Sequence, residues 1–155
     1  MKLKQLLPVF ALFSPLFFLS QNLNPVKWEA KYTDTGNNEG LITMTATIDE
    51  HWHIYSQRPT NDGPIPTSFT FNASKDFELV GKTEEIGAKE EFVKAFEAKL
   101  FTFEKTAVFK QKIKRNNAKA FNGGLKVEYM TCNDMQCLPP KIVELTFSAP
   151  ASAKK

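Results

Sequence analysis

Apolar and hydroxyl residues alternate without interruption over 42–48. Ile42, Met44, Ala46 and Ile48 fall on one parity, and Thr43, Thr45 and Thr47 on the other. A period of two sends successive side chains to opposite faces of an extended chain, and β-branched residues suit a pleated surface. This stretch therefore reads as a strand with one face buried. The pattern recurs on both sides of it. Val26, Trp28, Ala30 and Tyr32 alternate with Lys27, Glu29 and Lys31, and residues 51–56, 68–72, 77–80, 100–103, 106–114, 125–131 and 141–147 read as further short strands. Clusters of Gly, Asn and Pro at 35–40, 59–66, 116–117 and 122–124 mark the turns between them. Residues 84–98 stay open between strand, irregular loop and one or two helical turns, with Ile86, Phe92, Val93 and Phe96 as their apolar positions. No βαβ alternation and no internal repeat is present. About eight or nine short strands at this spacing predict an all-β sandwich or barrel.

The N-terminal segment stands apart. Lys2 and Lys4 precede an apolar run over 6–19, interrupted by Pro8, Ser14 and Pro15, and the chain turns polar at Ser20-Gln21-Asn22. A basic start, an apolar middle and a polar exit form the layout of a secretory signal peptide, and the run is too short for a comfortable membrane span. Cleavage is expected after Ser20. No cysteine closes the run, so no lipid anchor is expected, and no later stretch is long and apolar enough to span. The expected organisation is a signal peptide over 1–20, one domain over 21–148 and a flexible tail over 149–155, in a secreted protein without a stable membrane anchor. The formal net charge of +3 loses the two leader lysines on cleavage. What remains gives no electrostatic footprint for nucleic acid or an anionic membrane surface.

Both cysteines, Cys132 and Cys137, fall in the expected mature part, and two cysteines in an oxidising compartment normally pair. Asn133-Asp134 between them favours a turn, so a hairpin can bring the two face to face within disulfide range. Leu125, Val127, Tyr129 and Thr131 share the core parity, which places Cys132 on the other, more polar face, where a partner can approach. A bridge closing so short a loop contributes about 2 kcal/mol by chain entropy, less than one joining distant strands. Spacing alone leaves a structural staple and a redox tool both open.

The segment Cys132-Asn133-Asp134-Met135-Gln136-Cys137-Leu138-Pro139-Pro140 resembles the active-site hairpin of the N-terminal periplasmic domain of DsbD, the thiol:disulfide interchange protein. His51-Trp52-His53-Ile54-Tyr55 and Asp62-Gly63-Pro64-Ile65-Pro66-Thr67 also resemble that family, especially its Bacteroidetes-type members, and the likeness covers most of residues 26–147. The resemblance implies an immunoglobulin-like β-sandwich in the periplasm. It implies a thiol–disulfide oxidoreductase that takes electrons from a membrane-embedded thiol donor and passes them to thioredoxin-like periplasmic proteins, with no bound cofactor. Cys137 is implied as the cysteine that forms the mixed disulfide and Cys132 as its resolving partner. A cap with a Phe shields the pair in the family. Glu90-Glu91-Phe92 is the match, with Phe92 as shield beside Glu91 and Phe96 as the competing candidate. Tyr55 and His53 are implied as neighbours of the cysteines. Unlike full-length DsbD, the sequence ends at Lys155 without a transmembrane or thioredoxin-like domain, so the donor is expected to be a separate protein. The cysteine spacing also differs by one residue from the best-known members.

A different class of function is a non-catalytic secreted binding module with a structural disulfide. His51, His53, Met130, Met135 and the cysteines offer imidazole and soft sulfur suited to Cu(I). Their spacing matches no established ligand pattern, so no metal site is expected. Glu84, Glu85, Glu90 and Glu91 read as a solvated face.

Overall fold

The computed structural model describes residues 23–152. The expected leader, its cleavage point and residues 153–155 of the expected tail lie outside them. Among the described residues the chain forms eleven strands and one 3-10 turn. They are β1 (Val26–Gly36), β2 (Glu39–Ile48), β3 (His53–Tyr55), β4 (Ser68–Phe71), β5 (Phe77–Ile86), β6 (Lys89–Val93), the 3-10 turn (Lys94–Phe96), β7 (Ala98–Glu104), β8 (Thr106–Arg115), β9 (Phe121–Tyr129), β10 (Thr131–Cys132) and β11 (Lys141–Ala149). β6 and β10 are additions to the expected strands. The ambiguous 84–98 region is the end of β5, then β6 and the 3-10 turn.

Three antiparallel sheets build an immunoglobulin-like sandwich, with strand orders β1-β2-β8-β5, β10-β3-β7-β6 and β11-β9-β4. β1 and β2 form a hairpin whose turn places Gly36, Asn37 and Asn38 at positive φ, the region that Gly and Asn tolerate best. The alternation of β2 is realised as expected: Ile42, Met44 and Ala46 have no exposed surface. They meet Phe109 and Ile113 of β8 and, across the sandwich, Leu125, Val127 and Tyr129 of β9. Phe109 is the aromatic hub, with ring centroids 4.9 Å from Phe69, 5.2 Å from Phe103 and 5.8 Å from Trp28. Edge-on and tilted packing of this kind adds to plain area burial.

Two polar residues occupy the buried parity of β8. Gln111 accepts from Thr83 Oγ1 (2.8 Å) and donates to the carbonyls of Val80 (3.1 Å) and Lys112 (2.9 Å). These bonds fill the gap where β5 slips register between Val80 and Glu84. Arg115, whose side chain has no exposed surface, donates to the carbonyls of Lys119 (2.7 Å), Pro150 (3.0 Å) and Asn117 (3.3 Å) and to Tyr32 Oη (3.2 Å). The expectation of a flexible tail from 149 is corrected for its described part. Ala149 ends β11 and is buried, Pro150 is held by Arg115, and the Ser152 amide donates to Ala118 O at 3.0 Å.

Candidate functional site

The chain changes sheets just before the first cysteine. β9 keeps its parity through Leu125, Val127 and Tyr129 while it pairs with β11 and β4. After Met130 it turns away, and Thr131 and Cys132 pair instead with Ile54 and His53 of β3. Thr131 Oγ1 donates to His53 O at 2.9 Å and secures the new pairing. The parity argument ends at that switch. Cys132 does lie outside the main core, as expected, but it is 0% exposed and belongs to a second apolar cluster with Tyr55, Val93 and Leu100. The approachable face expected for it is absent. Cys137 packs against the same cluster and is only half-buried.

A side-chain-built turn joins the two cysteines. Asn133 Oδ1 accepts from the amides of Met135 (2.9 Å) and Gln136 (2.8 Å), and the Asn133 amide donates to Gln136 O (2.9 Å). Asn is suited to this because its short amide mimics a backbone carbonyl. Cys132 and Cys137 then face each other as an antiparallel bridge, with Cα atoms 4.0 Å apart and a disulfide between the sulfurs. The tip of the turn presents Met135, 93% exposed.

Register shows what shares the face of the sulfurs. Cys132 opposes His53, His53 opposes Glu104, Tyr55 opposes Thr102, Glu91 opposes Leu100, and Val93 opposes Ala98. Directly opposed side chains point the same way, so one face of the second sheet carries an apolar patch and a polar row. Glu91 is in that row, half-buried, accepting from Thr102 Oγ1 at 3.4 Å. His53 Nε2 and Tyr55 Oη are 3.0 Å apart, with their rings perpendicular. Burial pushes the Tyr55 phenol up, so it stays protonated. Burial also lowers the His53 imidazole below its usual 6.5, against the opposing pull of Glu104, Glu91 and Asp134.

Phe92 does not cover the sulfurs. It neighbours Glu91 and Val93 in β6, so it points to the opposite face, and it is 62% exposed. The aromatic on the cluster is Phe96, in the 3-10 turn, edge-on to Tyr55 at 5.9 Å between centroids. Sequence spacing leaves this choice open because it depends on the pairing of Val93 with Ala98.

Glu85, read as solvated, is a structural anchor missed from the sequence. Its carboxylate accepts from Ser56 Oγ and the Gln57 amide, both at 2.8 Å, and lies 3.4 Å from Arg58 Nε. This fixes the loop after β3, whose Arg58, Pro64 and Pro66 join Tyr55, Leu100 and Phe101 around a cavity of about 240 Å³ beside the cluster. His51 is exposed, at positive φ before β3. Among the described residues no three His, Cys, Asp or Glu side chains gather as a metal site, and no helix is long and apolar enough to cross a membrane.

An immunoglobulin-like sandwich holds one wholly buried and one half-buried cysteine in a hairpin, against an apolar cluster that Phe96 joins, an arrangement suited to a thiol–disulfide exchange domain. The family model described as thiol:disulfide interchange protein DsbD, N-terminal, matches residues 21–148, and the chain belongs to that family. Its fold is similar to that of the N-terminal domain of DsbD from Neisseria meningitidis in the reduced form, with a TM-score of 0.53 and 14% identity over 84% of this chain and 92% of that one. It is also similar to the N-terminal periplasmic domain of ScsB from Proteus mirabilis, with a TM-score of 0.52 and 16% identity over 83% of this chain and 48% of that one. No curated protein matches the chain by sequence.

Proposed function

We propose that the chain is a periplasmic dithiol carrier that takes electrons from a membrane-embedded thiol donor and delivers them to thioredoxin-like proteins through Cys132 and Cys137. The observation that carries this reading is the unequal burial of the pair. Exchange requires a sulfur that another sulfur can reach, and Cys137 has exposed surface whereas Cys132 has none. Cys137, as thiolate, attacks the partner's disulfide. Cys132 then attacks Cys137, closing the internal bridge and releasing the partner as a dithiol. Two electrons pass, and no bound cofactor takes part. The reduction potential tests the reading. A structural bridge lies below about −300 mV; the carrier is expected above it, in equilibrium with a glutathione or thioredoxin couple. A value below that limit makes the bridge a staple.

Phe96 is the shield in this proposal. Phe96→Ala is expected to speed oxidation of the reduced pair by a small oxidant severalfold, with about 1 kcal/mol of stability lost with the Tyr55 contact. Phe92→Ala is expected to leave the oxidation rate unchanged and to cost no more than about 0.5 kcal/mol, as exposed positions do. The reverse ranking in a stopped-flow oxidation assay transfers the shield to Phe92.

A further inference from the structure

Resolution by Cys132 has a proton to dispose of. The attacking species is a thiolate, yet apolar burial favours the thiol, and Cys132 lies where no solvent reaches. A proton acceptor has to be built into the face that holds the sulfur. Of the polar groups on that face, His53 is directly opposed to Cys132, which brings their Cβ atoms to about 4.5–5.5 Å. Glu91 is on β6, three strands from β10 in the sheet order, or roughly 14 Å at the usual strand spacing. Glu104 is exposed at the end of β7 and Asp134 is exposed in the hairpin. These three carboxylates surround His53 electrostatically and stabilise an imidazolium when it forms, while burial keeps the resting ring neutral. Tyr55 packs in the cluster with Cys132 and holds His53 Nε2 at 3.0 Å.

We propose that His53 is the proton acceptor for Cys132 in the resolving step and its proton donor in the reverse direction, with Tyr55 positioning the ring. The proposal rests on the carrier reading above. With a partner sulfur bonded to Cys137 Sγ, the Cys132 thiol gives its proton to the imidazole. The step uses the tautomer in which Nε2–H is donated to the Tyr55 oxygen across their 3.0 Å contact, so that Nδ1 keeps the lone pair that takes that proton. The sulfur electron pair forms the Cys132–Cys137 bond. The Cys137–partner bond breaks, and the partner sulfur leaves with that bond's electron pair as a thiolate, which collects a proton from the imidazolium or from water. The cysteine pair is oxidised by two electrons and the partner disulfide is reduced by two. Two protons pass as well, counting the one that Cys137 sheds on becoming a thiolate.

An aromatic disulfide, 5,5′-dithiobis(2-nitrobenzoate), separates the steps, because each releases one coloured thiolate. The first release reports attack by Cys137 and the second reports resolution by Cys132. His53→Gln is expected to slow the second release roughly 100-fold, the scale of general base catalysis, and to leave the first nearly unchanged. In the unmutated protein the second rate is expected to fall as pH drops through the His53 pKa, below 6.5, because protonation removes the acceptor. The bend should coincide with the ring titration followed by NMR. That comparison needs no variant and decides the matter even where His53→Gln fails to fold. A second phase that keeps its wild-type rate and pH profile in His53→Gln, or a wild-type bend away from the NMR value, overturns the His53 role and leaves the carrier reading standing. Absence of the second release from the unmutated protein overturns both.

Discussion

Cys132→Ser is expected to accumulate a covalent complex with a thioredoxin-like partner through Cys137, and Cys137→Ser to capture at least about tenfold less, since exchange depends on access. The asymmetry follows from position. Cys132 has no exposed surface beneath Tyr55, Val93 and Leu100, while Cys137 reaches the edge of the same cluster. With Cys132 gone, nothing resolves the mixed disulfide and it persists. With Cys137 gone, the remaining thiol is out of reach. A non-reducing gel of each variant, mixed with a partner that lacks its own second cysteine, measures the ratio. Equal capture by both variants removes the division of roles. No capture by either returns the bridge to a structural part.

Arg115→Met is expected to cost about 2–4 kcal/mol of stability, from several hydrogen bonds to one buried charged donor lost at once. The substitution takes the donor from the carbonyls of Asn117, Lys119 and Pro150 and from Tyr32 Oη and Asp34 Oδ2 together, and a hydrogen bond to a charged group contributes about 1.5–3 kcal/mol where water does not replace it. Urea unfolding measures the loss. Arg115 adjoins Phe121 at the start of β9, while the cysteine hairpin follows the far end of that strand. The exchange rate of the folded variant is therefore expected to match the unmutated protein. A loss below about 1 kcal/mol would show that water replaces the guanidinium at little cost.

The strands were legible wherever one face meets the core and the other meets solvent, as in β2. The hairpin was legible too, because Asn133 builds it from bonds to Met135 and Gln136 alone. What escaped was decided by distant partners. Cys132 looked accessible because β9 and β10 form one continuous run in sequence; the pairing with β3, some 78 residues away, buries it. Phe92 and Phe96 were both open as shields because a one-residue change of register exchanges the faces of a strand. Glu85 looked like one acid among several, since its partners at Ser56 and Gln57 are 29 and 28 residues distant. Gln111 and Arg115 lie on the core parity of β8, and alternation alone cannot tell a buried polar clamp from an exposed residue.

β3 and β7 have apolar side chains on both faces. Ile54 and Phe103 enter the main core, while Tyr55 and Leu100 enter the small cluster around the cysteines. Two free energies are thereby kept separate. Global unfolding draws on the large core, whereas a local opening around the cysteines gives up only contacts of the small cluster, Phe96 against Tyr55 among them. Local opening of this kind lies far below the global value in a domain. In the carrier reading proposed above, access to the cysteine pair then has a cost set by a few side chains, and substitutions among them retune that access while the fold keeps its stability.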